Sequence, residues 1–93
     1  MIRNVLSIAG SDPSGGAGIQ ADLKAFSARG TFGMAAITAL TAQNTLGVDG
    51  VLLVPPDFVA TQIATLRADV DIHGIKIGMI ATGEIAAAVA SAL

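Results

Sequence analysis

Apolar residues occupy almost every position from Asn4 to Ala9, the pattern of a short strand covered on both faces. A glycine-rich stretch follows, and the period then changes. Ile19, Leu23 and Phe26 recur at i, i+4 and i+7, with Gln20, Lys24 and Ser27 elsewhere on the circumference. This predicts an amphipathic helix from about Gly16 to Arg29, with Gly30 placed to end it. Met34 to Thr41 is a second apolar run, poor in alternation and carrying the β-branched Ile37, Thr38 and Thr41. Its alanines would also suit a helix. Position decides for a buried central strand, because strand–helix–strand with short links is the βαβ unit, whose crossover is right-handed.

Leu46 to Gly50 holds two glycines and Asp49 and reads as a turn. Val51 to Val54 is a short strand whose tight connection leaves no room for a crossover helix, so it pairs antiparallel or sits at an edge. Pro55-Pro56 ends it, and Pro56-Asp57 opens a helix to about Ala68 with Val59, Ile63 and Leu66 as its stripe. After a polar link, Asp69 to His73, comes a strand from Gly74 to Ile80 containing one charge, Lys76. Thr82 caps a last helix that turns Ile85 and Val89 inward. The order β–α–β–(short β)–α–β–α predicts an α/β fold, a mainly parallel sheet with helices on both faces.

Composition adds one constraint. Of 93 residues, 53% are hydrophobic and 13% charged, about half the usual charged share. A free-standing domain of this size needs polar residues to cover its surface, so the composition predicts a piece with apolar faces meant for further protein. The net charge is −2, and Arg3, Lys24, Arg29, Arg67 and Lys76 are scattered singly. With no Trp or Tyr and three Phe, neither electrostatic nucleic-acid binding nor base stacking is supported. Cysteine is absent, which removes disulfides and thiolate metal sites. Val5 to Ala9 is too short for the core of a signal peptide, and no apolar run approaches the ~18 residues that cross a bilayer. No membrane contact and a cytoplasmic location are expected.

The chemistry concentrates in the loop behind the first strand. Gly10, Gly15, Gly16 and Gly18 alternate with Ser11, Asp12 and Ser14. Glycines let the backbone approach a ligand closely, and a strand-to-helix loop aims N–H groups at one point. The plainer reading is a tight turn. Gly10 to Gly15 has the first half of a Walker A spacing, but Gly16 and Ala17 stand where Lys and Ser/Thr belong, so no side-chain cation would reach the β- and γ-phosphates and a P-loop is not expected. Gly16-Ala-Gly18-Ile-Gln-Ala21 fits G-x-G-x-x-A, yet Ala35 to Gln43 lacks the ribose-binding carboxylate.

Gln43 follows the second strand's carboxyl end, the level at which open α/β sheets form their ligand crevice, and should face the same space as the Gly10 loop. Its amide offers a donor and an acceptor side by side, suited to a ring nitrogen beside an exocyclic amine. A glutamine serving only its own turn is the alternative. Met79, at the end of the Lys76 strand, is either core filler or the wall of a flat ring. Asp22 in the second turn of its helix either favours the helix dipole or serves the site. His73 has no ligand partners at metal spacing and reads as a surface histidine, so no metal site is assigned.

Ala9-Gly-Ser-Asp-Pro-Ser-Gly-Gly-Ala-Gly-Ile-Gln-Ala-Asp-Leu-Lys24, then Ile37-Thr-Ala-Leu-Thr-Ala-Gln-Asn-Thr45, then Lys76-Ile-Gly-Met79 resemble the hydroxymethylpyrimidine/phosphomethylpyrimidine kinases. These belong to the ribokinase-like superfamily, and the blocks cover nearly the whole chain in register. The resemblance implies a Rossmann-type three-layer sandwich, of which residues 1–93 are the amino-terminal portion of a single, incomplete domain. It implies phosphoryl transfer from ATP, with Mg2+, to 4-amino-5-hydroxymethyl-2-methylpyrimidine and then to its monophosphate, in a homodimer when full length. Gly10, Ala17, Asp22, Gln43 and Met79 match family residues lining the pyrimidine pocket, with Gln43 on the aminopyrimidine edge. Asp22 lies near the hydroxymethyl in that family, and it is the one catalytic group the resemblance implies here, orienting the nucleophile or magnesium. Thr41 stands where relatives often carry valine. The family's ATP site, anion hole and general base lie in a later glycine-rich, cysteine-containing segment that these residues do not include, so no nucleotide-binding residue is assigned and the 93 residues alone are expected to be inactive. Two alternatives remain open: a pyridoxal kinase of the same architecture, and a pyrimidine-binding module without chemistry.

Overall fold

A computed structural model describes all of residues 1–93. Strand β1 (Asn4–Ala9) is the centre of a parallel sheet, with β2 (Phe32–Ile37) on one side and β5 (Gly74–Ile77) on the other. Between β1 and β2 runs helix α1 (Gly18–Ala28). After β2 the chain forms an antiparallel pair, β3 (Ala39–Gln43) with β4 (Val48–Leu53), and then α2 (Pro56–Arg67), β5 and α3 (Gly83–Ala92).

The period-2 alternation of β1 sorts the layers. Leu6 and Ile8 are fully buried in one cluster with Ala36 of β2, Val59 and Ile63 of α2, and Ile85 and Val89 of α3. Ser7, on the opposite face, reaches Asp22 of α1. Gly33 of β2 faces α1 as well, where an added Cβ would lie 2.8 Å from Leu23 Cδ2 and 3.1 Å from Phe26 Cδ2. Helices therefore cover both faces of a parallel sheet, as the hydrophobic pattern predicts. Gly30, at φ +75°, follows the C-cap of α1 at the position its sequence assigns. Thr82 caps α3, its side chain accepting from the Ile85 N–H.

The expected single strand Met34–Thr41 is instead two strands in two sheets. The break falls at Thr38, which is fully buried. Its N–H donates to Ala9 O at 3.0 Å, its hydroxyl to Met79 O at 2.9 Å, and its carbonyl accepts from Val54 N at 3.0 Å. Gln62 of α2 holds the last residue of β2, accepting from Ile37 N and donating to Ile37 O. Every polar group at the departure is thus satisfied by distant residues. The turn expected across 46–50 is narrower, since β4 begins at Val48. Strand β4 pairs antiparallel, one of the two expected arrangements, with a bulge between Ala42 and Gln43. The last strand stops at Ile77 rather than Ile80, and α1 begins at Gly18 rather than Gly16.

Much apolar surface stays open. All six residues of β4 are exposed, Leu46 is 95% exposed, and Ile75 and Ile77 of the edge strand β5 are about half exposed. No helix is long and apolar enough to cross a membrane.

Candidate active site

The carboxyl end of β1 opens into a cleft of about 450 Å³. Its floor is the turn from Ala9 through Asp12, its rim is Ala17 and Gly18, one wall is the β3–β4 pair, and the other is the end of β5. These walls lie on either side of β1. Ser11 N donates to Ala39 O on the β3 side, and Gly78 N donates to Ile8 O on the β5 side.

The loop keeps this shape because its polar groups are consumed internally. Asp12 is buried, and its Oδ1 accepts from both the N–H and the hydroxyl of Ser14. Its own N–H donates to Gln20 Oε1, and Gly15 N donates to Asp12 O. The Ser14 hydroxyl above all, then the Ser14, Ala17 and Gly16 N–H groups, hold the Asp12 carboxyl below its ordinary value against the opposing effect of burial. Gly18 then enters α1 at φ +59°, where a Cβ would stand 2.4 Å from the Gly10 carbonyl oxygen. Only glycine fits there.

Four of the five pocket residues expected from the sequence, Gly10, Ala17, Gln43 and Met79, meet on the cleft. Gly10 lies between walls: a Cβ on it would be 3.5 Å from Ala39 O and 3.8 Å from Met79 Cε. Gln43 is the last residue of β3, just past the bulge, rather than a loop residue beyond it. The Thr41 hydroxyl has one proton and two oxygens in reach, Ser11 O at 2.9 Å and Gln43 Oε1 at 3.0 Å. When the proton goes to Ser11 O, the Gln43 amide can turn its NH2 to the Thr41 lone pairs, so either end of the amide can face the cleft.

Asp22 is the fifth, and it is set back from the wall. It lies beyond the first turn of α1, which holds no acidic residue, so it serves no dipole there. Its Oδ2 accepts from Ser7 Oγ at 2.7 Å, and both its oxygens accept from Lys76 Nζ at 3.0 Å. The Asp22 side chain is 14% exposed against 49% for Lys76, so the lysine is the member of the pair that meets the cleft. Lys76, Ser11 and Asp12 are cleft residues to which sequence reasoning gave no role of their own. The signal for Lys76 was present, a lone charge in a strand otherwise apolar. His73 is exposed, and its Nδ1 accepts from Asn4 N, tying the beginnings of β5 and β1. No group of three or more His, Cys, Asp or Glu comes together.

The profile of the family described as phosphomethylpyrimidine kinase matches residues 12–93. The hydroxymethylpyrimidine/phosphomethylpyrimidine kinase of Salmonella typhimurium is 59% identical over 90 residues, which are 97% of this chain and 34% of that protein. The crystal structure of phosphomethylpyrimidine kinase from Clostridium difficile superposes with a TM-score of 0.93 at 49% identity, over 98% of this chain and 39% of its own. The pyridoxal kinase of Staphylococcus aureus, in complex with AMP-PCP and pyridoxal, gives a TM-score of 0.86 at 38% identity, over 99% of this chain and 34% of its own. The chain thus spans about a third of the length of the hydroxymethylpyrimidine/phosphomethylpyrimidine kinases of Salmonella typhimurium and Rhizobium meliloti. The family profile spans 82 of the 93 residues, and the chain belongs to the phosphomethylpyrimidine kinase family.

Proposed function

We propose that this chain is the amino-terminal portion of a ribokinase-like kinase domain and forms the acceptor side of its site. The reaction is phosphoryl transfer from ATP to the hydroxymethyl oxygen of 4-amino-5-hydroxymethyl-2-methylpyrimidine, and then to its monophosphate, in thiamine biosynthesis. The observation that carries this reading is the meeting of Gly10, Ala17, Gln43 and Met79 on one cleft at the carboxyl end of β1. Gly10 and Ala17 leave room for a flat ring to approach the backbone, Met79 supplies an apolar wall, and the Gln43 amide reads the ring's nitrogen–amine edge.

The same residues do not fit the donor. The N–H groups of Ser11, Asp12, Ser14 and Gly15 are all spent within the protein, on Ala39 O, Gln20 Oε1, Asp12 Oδ1 and Asp12 O, and no carboxylate cluster gathers to hold magnesium. The contribution of this chain is to bind and orient the acceptor while ATP supplies the phosphoryl group. Asp22 acts through Lys76 in this reading, because Lys76 stands between it and the cleft.

The test is Gln43→Glu and Gln43→Ala in the full-length protein. Glu keeps the size, loses the donor and opposes the ring nitrogen's lone pair. An unpaired buried partner costs about 1–3 kcal/mol, or roughly 5- to 150-fold in kcat/KM for the pyrimidine, with the KM for ATP nearly unchanged. Wild-type values in both variants would refute the reading. Pyridoxal as a second acceptor decides the alternative that the 38% identical neighbour raises. Turnover of pyridoxal alone would replace the pyrimidine by the pyridine.

A further inference from the structure

Lys76 is the single cation lining the cleft, while Asp12 lines it and Asp22 lies directly behind. Two of the three ammonium protons of Lys76 are directed at Asp22, at 3.0 Å to each oxygen. The third is free, on a side chain 49% exposed. The pair is asymmetric: Asp22 is held from below by the Ser7 hydroxyl, itself fully buried, so the carboxylate is fixed and in turn fixes the ammonium. Lys76 and Gln43 enter from opposite sides of β1, one from β5 and one from β3. An acceptor whose ring edge meets Gln43 therefore extends its other end toward Lys76.

A neutral alcohol needs no charge there. A phosphate monoester carries a charge of about −1.5 to −2 at neutral pH, and without Lys76 it would meet only negative charge, Asp12 on the cleft and Asp22 behind it. We propose that Lys76 is the residue that admits the phosphorylated acceptor, donating its third proton to a phosphate oxygen while Asp22 and Ser7 hold it in position. Lys76 thereby sets the preference of the cleft between the alcohol and its monophosphate. This rests on the acceptor-side reading above. Lys24 is the natural control: it reaches the same loop, donating to Gly15 O at 3.1 Å, but does not line the cleft.

The experiment uses full-length protein, with the aminopyrimidine alcohol and its monophosphate as separate ligands, by equilibrium titration and by kcat/KM. Lys76→Met should lower the preference for the monophosphate over the alcohol about 10- to 100-fold, the range of a lost charge-assisted hydrogen bond. Lys76→Arg should restore most of the loss, and Lys24→Met should leave the ratio of the two acceptors unchanged. In the wild type, added salt should weaken the monophosphate and spare the alcohol. Should Lys76→Met fold poorly with Asp22 stranded, the double variant Asp22→Asn/Lys76→Met removes the stranded charge and should show the same loss of ratio. Equal losses for both acceptors would make Lys76 a mere strut for Asp22 and overturn the proposal. So would a salt-insensitive monophosphate in the wild type. Wild-type protein that takes the alcohol and refuses the monophosphate would sink this inference alone, and one that binds neither would sink the acceptor reading with it.

Discussion

Gly18→Ala should damage both the fold and the cleft, and its cost can be worked from two features. The first is φ +59°. An L-residue in the left-handed region costs about 1–2 kcal/mol. The second is space, since the new Cβ would stand 2.4 Å from Gly10 O and 3.2 Å from the carbonyl carbons of Gly10 and Ser11. These are backbone atoms and cannot rotate away. Reaching ordinary contact requires Gly10 to move by about 1 Å, which breaks the Ile19 N–H to Gly10 O bond of 2.9 Å and costs about 1 kcal/mol more. The sum is about 2–3 kcal/mol before any strain in the displaced loop. Gly10, Ala17 and Gly18 all face the cleft, so the same shift misplaces its floor, and a 1 Å error in positioning can lower kcat/KM by about 100-fold. Urea unfolding of full-length protein, with kcat/KM for the pyrimidine alongside, measures both. Gly47→Ala is the control, because a Cβ there meets nothing within 4 Å, and it should stay within about 0.5 kcal/mol. Wild-type stability and activity in Gly18→Ala would show that the strand-to-helix turn is not constrained as described.

Thr38→Val keeps the shape of a fully buried side chain but strands Met79 O, its hydrogen-bond partner at 2.9 Å, and should cost about 1–3 kcal/mol by urea unfolding; a neutral change would mean that water or another donor serves that carbonyl. Ser14→Ala removes the largest cause of the lowered Asp12 pKa. A lowered folded-state value means that the stabilisation is complete above the unfolded value and is lost as pH falls through the folded one. In the variant the Asp12 carboxyl should therefore titrate closer to its ordinary value, and the stability lost between its unfolded and folded pKa should be smaller and be complete at a higher pH, as read by carboxyl NMR titration and acid unfolding. Ala81 is the one non-glycine residue with positive φ, at 76°, so Ala81→Gly should stabilise by about 0.5–1 kcal/mol after the entropy of the unfolded glycine is deducted, and a lower melting temperature would contradict this.

Local pattern determined most of the elements by itself. Ile19, Val59, Ile63, Ile85 and Val89 are the buried residues of their helices because a 3.6-residue period and a single apolar stripe allow only one face to turn inward. Gly30 and Thr82 end and begin helices through backbone chemistry that neighbours in sequence supply. The glycine loop and Gln43 could be set at one crevice from the strand–helix–strand order, since parallel strands bring their carboxyl ends to one level. Tertiary structure decided the rest, because its causes lie far away in sequence. Met34 to Thr41 contains no glycine or proline to announce a break, and the break at Thr38 exists because Ala9, Val54, Met79 and Gln62 satisfy the polar groups exposed where the chain leaves the sheet. Asp22 and Lys76 are 54 residues apart, and nothing local to either predicts that they share two hydrogen bonds. Sequence identified Asp22 as a carboxylate in need of a reason. Only the parallel pairing of β5 beside β1, with α1 lying over them, brought up the cation and put Lys76, rather than Asp22, at the surface of the cleft.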